Sequence, residues 1–238
     1  MKFLLEGGKK FTSSLSTDEP KHSNSFEQET DWYKDAVGGM WEEIGKLQFN
    51  FLVSEGLRPE HFLLDVGCGS LRGGIHFIKY LDTGHYFGTD INKELLKAGR
   101  FEIKINKLIK KKPSFLHDDN FEFGKLGQKF HFAVAISVFT HINLNDIINC
   151  ILNVEKILQK NGKFYASFFE NNSGKFNLRT LSHKRTDGPE IITNFNSDPF
   201  HYSFEIFKWI CKDTSLEVRY LGDWSHPRGQ RMMVFTKI

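Results

Sequence analysis

The sequence predicts an α/β domain, a mostly parallel β-sheet with helices on both faces. Short apolar strands alternate with helical stretches from about residue 60 onward. The first of these strands, "LLDV", runs straight into a glycine-rich turn, "GCGSLRGG". Further on, "FHFAVAIS" (130–137) is a continuous apolar run of the kind that parallel sheets bury on both sides.

Composition sets the outer limits. With 238 residues, 39% of them hydrophobic, and six prolines, the chain suits one large domain with a well-buried core. The apolar run near the N-terminus is only Phe3, Leu4 and Leu5, too short for a signal-peptide core, and eighteen apolar residues never follow one another. A cytoplasmic protein without membrane attachment is expected. Cys68, Cys150 and Cys211 are odd in number and contain no CxxC pair, which argues against a disulfide framework and a cysteine-rich zinc site. The net charge of +3 permits anionic substrates without requiring nucleic acid. The densest basic run, "KLIKKK" (107–112), reads as a solvated helix end, where cations complement the carbonyl dipoles.

Taken in order, residues 1–30 are polar and aperiodic and read as a mobile N-terminal arm, leaving 31–238 as the domain. Trp41, Ile44, Leu47 or Gln48, Phe51 and Leu52 recur at helical spacing, and Gly56 and Pro59 end that helix. "HFLLDV" is the first strand, a helix follows from about Leu71 to Leu81, and "HYFGTD" is the second strand. A helix from Asn92 to about Lys110 leads to a short strand at "SFLH" and then to the apolar strand at 130–137. The next helix begins near Asn143 and carries Ile147, Ile148, Ile151, Leu152 and Leu158, and "GKFYASFF" is a fifth strand. Residues 170–203 are polar and aperiodic, an insertion of the sort that shapes substrate pockets. Ser203 caps a helix with Phe204, Phe207 and Ile210, and strands at "LEVRYLG" and "RMMVFTKI" bring the total to seven.

The glycine turn places backbone N–H groups beside any ligand lying across the carboxyl edge of the sheet. A dinucleotide fingerprint counted from Gly67 and Gly69 needs its third glycine at position 72, which is Arg72. Asp65, two residues before Gly67, repels a pyrophosphate and attracts an ammonium. S-Adenosylmethionine (SAM) answers both points, since it carries an ammonium, a sulfonium and a ribose whose hydroxyls seek an acceptor. Asp90 supplies one, 21 positions after Gly69, close to the spacing at which nucleotide folds place a ribose-binding acid.

At these residues the chain resembles the class I SAM-dependent methyltransferases, over about 41–169. "LLDVGCG" looks like their first motif, which implies Asp65, Gly67, Gly69 and Ser70 along the methionine portion of SAM. "GTDIN" resembles the second and implies Asp90 on the ribose and Ile91 against adenine. "HDDNF" implies Asp119, or Asp118, with Asn120 and Phe121 near the adenine amino group. "AISVFTHI" resembles the fourth motif and brings Ser137 toward the cofactor. The resemblance also implies a Rossmann-like sheet ending in an antiparallel strand. The third glycine of the family's first motif would fall at Leu71 and is displaced to Gly73.

Methyl transfer from a sulfonium asks the protein to align two atoms and manage a proton. For a hydroxyl acceptor an imidazole serves as base, with His141 first and His226 next. Trp41, His201, Tyr202 and Arg228 are candidates for holding the acceptor, Arg228 through an anionic group. No Asn/Asp-Pro-Pro-Tyr/Phe element follows the fourth strand, which disfavours methylation of base amino groups, and no proline-cysteine nucleophile is present. The adjacent carboxylates of "HDDN" point to opposite sides of an extended chain, so no metal is expected. The expected activity is O-methylation of a small or medium polar molecule, such as a sugar, a phosphorylated metabolite or a biosynthetic intermediate. The alternatives are a nucleic-acid or protein methyltransferase, a non-catalytic SAM-binding partner subunit, and a nicotinamide-dependent oxidoreductase, which Arg72 and Asp65 disfavour.

Overall fold

The computed structural model describes residues 32–171 and 178–238. The expected N-terminal arm at 1–30 and part of the polar insertion lie outside the described residues. Five parallel strands, β1 (Leu63–Val66), β2 (Tyr86–Asp90), β3 (Ser114–His117), β4 (Phe130–Ala135) and β5 (Leu158–Glu170), form most of one sheet. The order is β3-β2-β1-β4-β5-β10-β9, in which β10 (Arg231–Lys237) runs antiparallel to both β5 and β9 (Leu216–Asp223). The chain thus winds outward from β1 in one direction and then from β4 in the other. Their carboxyl ends bracket the crevice where open α/β sheets bind ligands.

Alternation along the strands divides the core. Leu64, Val66, Ala133, Ala135, Phe164 and Phe168 face α5 (Leu144–Ile157) and α6 (Phe204–Cys211). Leu63, Phe132, Val134 and Tyr165 face the other way, toward α2 (Trp41–Ser54), α3 (Gly74–Tyr80) and α4 (Lys93–Ile105). Side chains that alternate by two but are apolar on both faces give the unbroken hydrophobic runs seen in the sequence.

Three of the helix starts are set by local chemistry. Asn92, Asn143 and Ser203 each accept backbone N–H bonds from the first turn of α4, α5 and α6. Other boundaries differ from the sequence reading. The helix expected from Leu71 begins only at Gly74, because Leu71 takes a left-handed φ of 77° in the preceding turn. The helix expected to reach Lys110 ends at Ile105. Lys107 adopts φ 58°, its N–H bonds Lys104 O and the N–H of Leu108 bonds Ile103 O, a Schellman ending built on lysine instead of the usual glycine. Of the apolar positions assigned to α5, Leu152 faces outward, Leu158 opens β5, and Cys150 and Val154 complete the buried stripe. The insertion is not featureless. It contains a hairpin, β6 (Leu181–His183) with β7 (Ile191–Thr193), and β8 (His201–Tyr202), which pairs with β5 and makes the sheet eight-stranded instead of seven. Among the described residues no helix is long and apolar enough to cross a membrane.

α2 lies close against the glycine turn. A Cβ on Gly45 would come within 2.4 Å of the Arg72 carbonyl oxygen, a backbone atom that cannot swing aside. Gly45→Ala gains about 1 kcal/mol of helix propensity. Overpacking at such a contact costs about 1–3 kcal/mol. Thermal or urea unfolding is expected to show Gly45→Ala as net destabilising; a rise in stability would mean that α2 does not press on the turn.

Candidate active site at the carboxyl edge of the sheet

The turn after β1 is built for close approach. Gly67 and Gly69 hold φ of 66° and 54°, and a Cβ on Gly67 would lie 2.5 Å from Val138 Cγ2. Val138 follows β4, so the two strands at the point of reversal meet across a bare backbone. A cavity opens beside them, lined by Gly67, Asp90, Ile91, Asp118, Asp119 and Phe121 among others, with Val138 and Ile142 on the β4 side.

Asp90 ends β2 with both carboxylate oxygens anchored. Oδ2 accepts the Gly69 N–H at 2.8 Å, and Oδ1 accepts the Asn92 N–H at 2.7 Å. Each oxygen keeps a lone pair for a ligand hydroxyl. Burial raises its pKa, opposed by those two backbone bonds. Asp65, at the other side of the turn, accepts a hydrogen bond from Tyr86 Oη at 2.6 Å. Burial is the main cause that pushes its carboxyl up to about 7, with the Tyr86 bond opposing and the charge of Asp90 adding to it.

Beyond Asp90, Ile91 is 67% exposed and forms an open wall, and Phe121 lines the cavity with a left-handed φ of 58°. Asn120 does not line it. Its side chain donates to Asp119 Oδ1 at 2.9 Å, and its backbone N–H caps Asp118 Oδ1 at 3.1 Å. Among the described residues that leaves Asp118 Oδ2 buried without a partner on the cavity wall, an acceptor able to take a donor such as a base amino group.

Two cofactor candidates are committed elsewhere. Ser70 is fully buried, and its hydroxyl donates to Tyr33 O at 3.0 Å, tying α1 (Trp32–Ala36) to the turn. Ser137 shares its hydroxyl with the Gln230 amide and donates its N–H to Ser167 Oγ at 2.7 Å, which joins the ends of β4, β5 and β10.

His141 sits on the turn between β4 and α5. Its Nδ1 is 2.7 Å from Asp198 Oδ1, with the side chains 59% and 56% exposed. The carboxylate fixes the tautomer with the proton on Nδ1 and leaves Nε2 as the basic nitrogen. His226 differs in every respect. It is buried, its Nδ1 accepts the Arg228 N–H at 3.3 Å, and burial, then the nearby Arg72 and Arg228, push its pKa down to about 3. Its remaining position is an N–H donor, not a base.

The acceptor-side candidates separate into three places. Trp41 opens α2 and packs edge-on against Tyr33 with centroids 5.8 Å apart. His201 and Tyr202 line a second cavity of about 510 Å³ beside the His141 turn, with Asn143, Phe195 and Phe200. His201 is buried, with its Nδ1 on Thr193 Oγ1 at 2.9 Å, and the Tyr202 hydroxyl donates to Ile142 O at 2.7 Å, so both also brace the wall. Arg228 donates to Gly38 O and, at 3.2 Å, to Asp187. Sequence reasoning assigned no role in the site to Arg72, Tyr86, Asp187, Asp198 or Gln230. The long-range partners that bring them into the site lie 21 or more positions away, where no local pattern reaches, although Asp187 also binds its near neighbour Arg185. Among the described residues no group of three or more His, Cys, Asp or Glu side chains converges as a metal site.

A family profile described as a methyltransferase domain matches residues 64–164. Among solved structures, magnesium protoporphyrin IX methyltransferase from Synechocystis with bound SAM superposes with a TM-score of 0.58 at 14% identity, over 92% of this chain and 87% of that one. A SAM-dependent methyltransferase from Clostridium acetobutylicum gives 0.61 at 13% identity, over 90% and 99%. An amino pentose methyltransferase from Micromonospora echinaspora, bound to SAM and involved in calicheamicin biosynthesis, gives 0.60 at 14% identity, over 92% and 100%.

Docking of a ligand ammonium at Asp65 carries a pH signature. The ammonium favours the ionised carboxylate, so affinity is full above the ligand-free pKa of about 7 and falls as pH drops through it. Between pH 7.5 and 6 the dissociation constant of S-adenosylhomocysteine (SAH) is expected to rise close to tenfold, about one decade per pH unit below the pKa. Tyr86→Phe removes the opposing hydrogen bond and shifts the loss to higher pH. A flat calorimetric profile would separate Asp65 from the ammonium.

Proposed function

We propose that this chain is a class I SAM-dependent methyltransferase that methylates an oxygen of a small or medium-sized polar acceptor, with His141 as general base. The observation that carries this reading is the His141–Asp198 pair, 2.7 Å apart on the turn that follows β4. When bound, SAM supplies an electrophilic methyl group on a sulfonium. Gly67 gives the ligand access to backbone, Asp90 receives the ribose hydroxyls, and Asp118, with Asp119 beside it, accepts from the adenine amino group. Asp65 holds the ammonium.

His141 takes the acceptor's hydroxyl proton on Nε2 as the new C–O bond forms. Asp198 holds Nδ1–H throughout and stabilises the imidazolium that results. The reaction needs no second proton carrier, since the leaving thioether is neutral. The cavity beside the turn supports a polar, uncharged body for the acceptor. Asn145 and Asn196 offer amides that both donate and accept, and Phe195 and Phe200 offer aromatic faces. A sugar or similarly hydroxylated intermediate fits that lining, in keeping with the small-molecule acceptors of the amino pentose and porphyrin enzymes.

The test is SAH release with a panel of hydroxylated sugars, sugar phosphates and aromatic phenols. With the best acceptor, His141→Ala is expected to lower kcat by about 10²–10⁴-fold. SAH affinity should stay unchanged, and Asp198→Asn should show a smaller loss in kcat. Retention of full kcat in His141→Ala would remove the base from this residue, and transfer confined to amines would replace oxygen by nitrogen.

A further inference from the structure

The loop that joins β9 to β10 carries three buried N–H groups with no hydrogen-bond partner among the described residues: Trp224 Nε1, His226 Nε2 and Arg228 Nε. All three are donors. His226 is 5% exposed, and its ring stacks on Trp224 with centroids 5.1 Å apart. Since its Nδ1 accepts the Arg228 N–H, the neutral ring carries its proton on Nε2. A buried donor left unpaired is costly, and only an acceptor atom relieves it.

Charge in this corner has one dominant sign. Arg72 is 8% exposed, and its hydrogen bonds go to the carbonyl oxygens of Val37 at 2.7 Å and Gly39 at 3.0 Å. Arg228 shares the Asp187 carboxylate with Arg185, which takes it in a two-pronged contact of 2.6 and 2.6 Å. Two guanidinium groups therefore share one carboxylate, and Arg72 feels the charge of Arg228 without a bond to that carboxylate. Asp65 also acts on Arg72, but it is engaged by Tyr86 and titrates near neutrality. Burial and the charge of Arg228 lower the pKa of Arg72 to about 10, and both arginines act on His226. A buried cation with only carbonyl partners is stabilised by a nearby anion.

We infer that His226 Nε2–H, together with Arg72 and Arg228, forms a binding corner for an anionic oxygen group, a carboxylate or a phosphate, on the bound ligand. The inference rests on the methyltransferase reading, which supplies two sources for such a group. One is the carboxylate at the amino-acid end of the cofactor, and the other is an acidic substituent of the methyl acceptor. Arg228 thereby acts on the ligand through charge while its Nη2 stays on Gly38 O and Asp187. His226 acts as a neutral donor that needs no proton uptake.

The experiment compares wild type, His226→Phe, His226→Gln and Asp187→Asn, each first checked for a wild-type unfolding transition. SAH and decarboxylated SAH are titrated by calorimetry, and inorganic phosphate and acetate are titrated into the SAH-saturated protein while Trp224 fluorescence is followed, with Trp224→Phe as the optical control. A cofactor carboxylate in the corner predicts SAH binding about 10-fold weaker in His226→Phe, near wild type in His226→Gln, and no such difference for decarboxylated SAH. An acceptor group predicts unchanged SAH binding and saturable phosphate or acetate binding that His226→Phe weakens about 10-fold. Asp187→Asn, which removes the competing carboxylate, should then tighten it. SAH binding equal in all variants, with no saturable anion effect, overturns the inference while leaving the cofactor assignment standing. Failure of wild type to bind SAH at all would instead remove the methyltransferase reading.

Discussion

Two carboxylates buried at the ends of adjacent parallel strands, Asp65 and Asp90, set the conditions for the rest of the site. Water is largely excluded from both, which costs free energy that a bare protein recovers only in part. Asp90 spends both oxygens on the N–H groups of Gly69 and Asn92, so the carboxylate itself shapes the glycine turn and the start of α4. Asp65 has one neutral donor, Tyr86, and stays close to protonation. A ligand with hydroxyls at one end and a cation at the other completes both environments, whereas a pyrophosphate would add negative charge to them.

Around this pair the carboxyl edge of the sheet divides its work. The ends of β1, β2 and β3 line the cavity proposed for the nucleoside, and the turn after β4 forms its far wall. Loop 224–230 and the insertion lie over β5 and β10, where Thr186 N–H bonds Pro227 O at 2.8 Å and Asp187 bonds Arg228. Arg72 and Arg228 both hold carbonyls of the short segment Val37–Gly39, which presses Val37 against Gly69. The chain before α2 is thus fastened to the glycine turn and to the C-terminal loop at once. The antiparallel β10 makes this possible, because its first residues, not its last, lie at the binding edge.

What the sequence revealed was the chemistry carried by neighbours in the chain. Strands buried on both faces, the helix starts near Asn92 and Asn143, the cap at Ser203, and the acid-glycine order of Asp65, Gly67, Gly69 and Asp90 are local signals, and each has a counterpart in the structure. Helix ends set by left-handed Leu71 and Lys107 escaped notice, since neither residue type announces that conformation. Asp198 was invisible as a partner of His141, and Tyr86 as a partner of Asp65, because they lie 57 and 21 positions apart. His226 shows the limit most clearly. The residue type suggests a base, while its burial and the bond to its Nδ1 make it a donor.

The account rests on SAM occupying the edge between β1 and β2. The direct measurement is equilibrium binding of SAH to wild type and Asp90→Ala, with NADH as the competing ligand. The account predicts SAH binding by wild type, a loss of at least about 10-fold in Asp90→Ala from the missing charge-assisted hydrogen bonds, and no NADH binding. Binding of NADH in place of SAH, or equal SAH affinity in the two proteins, would contradict it.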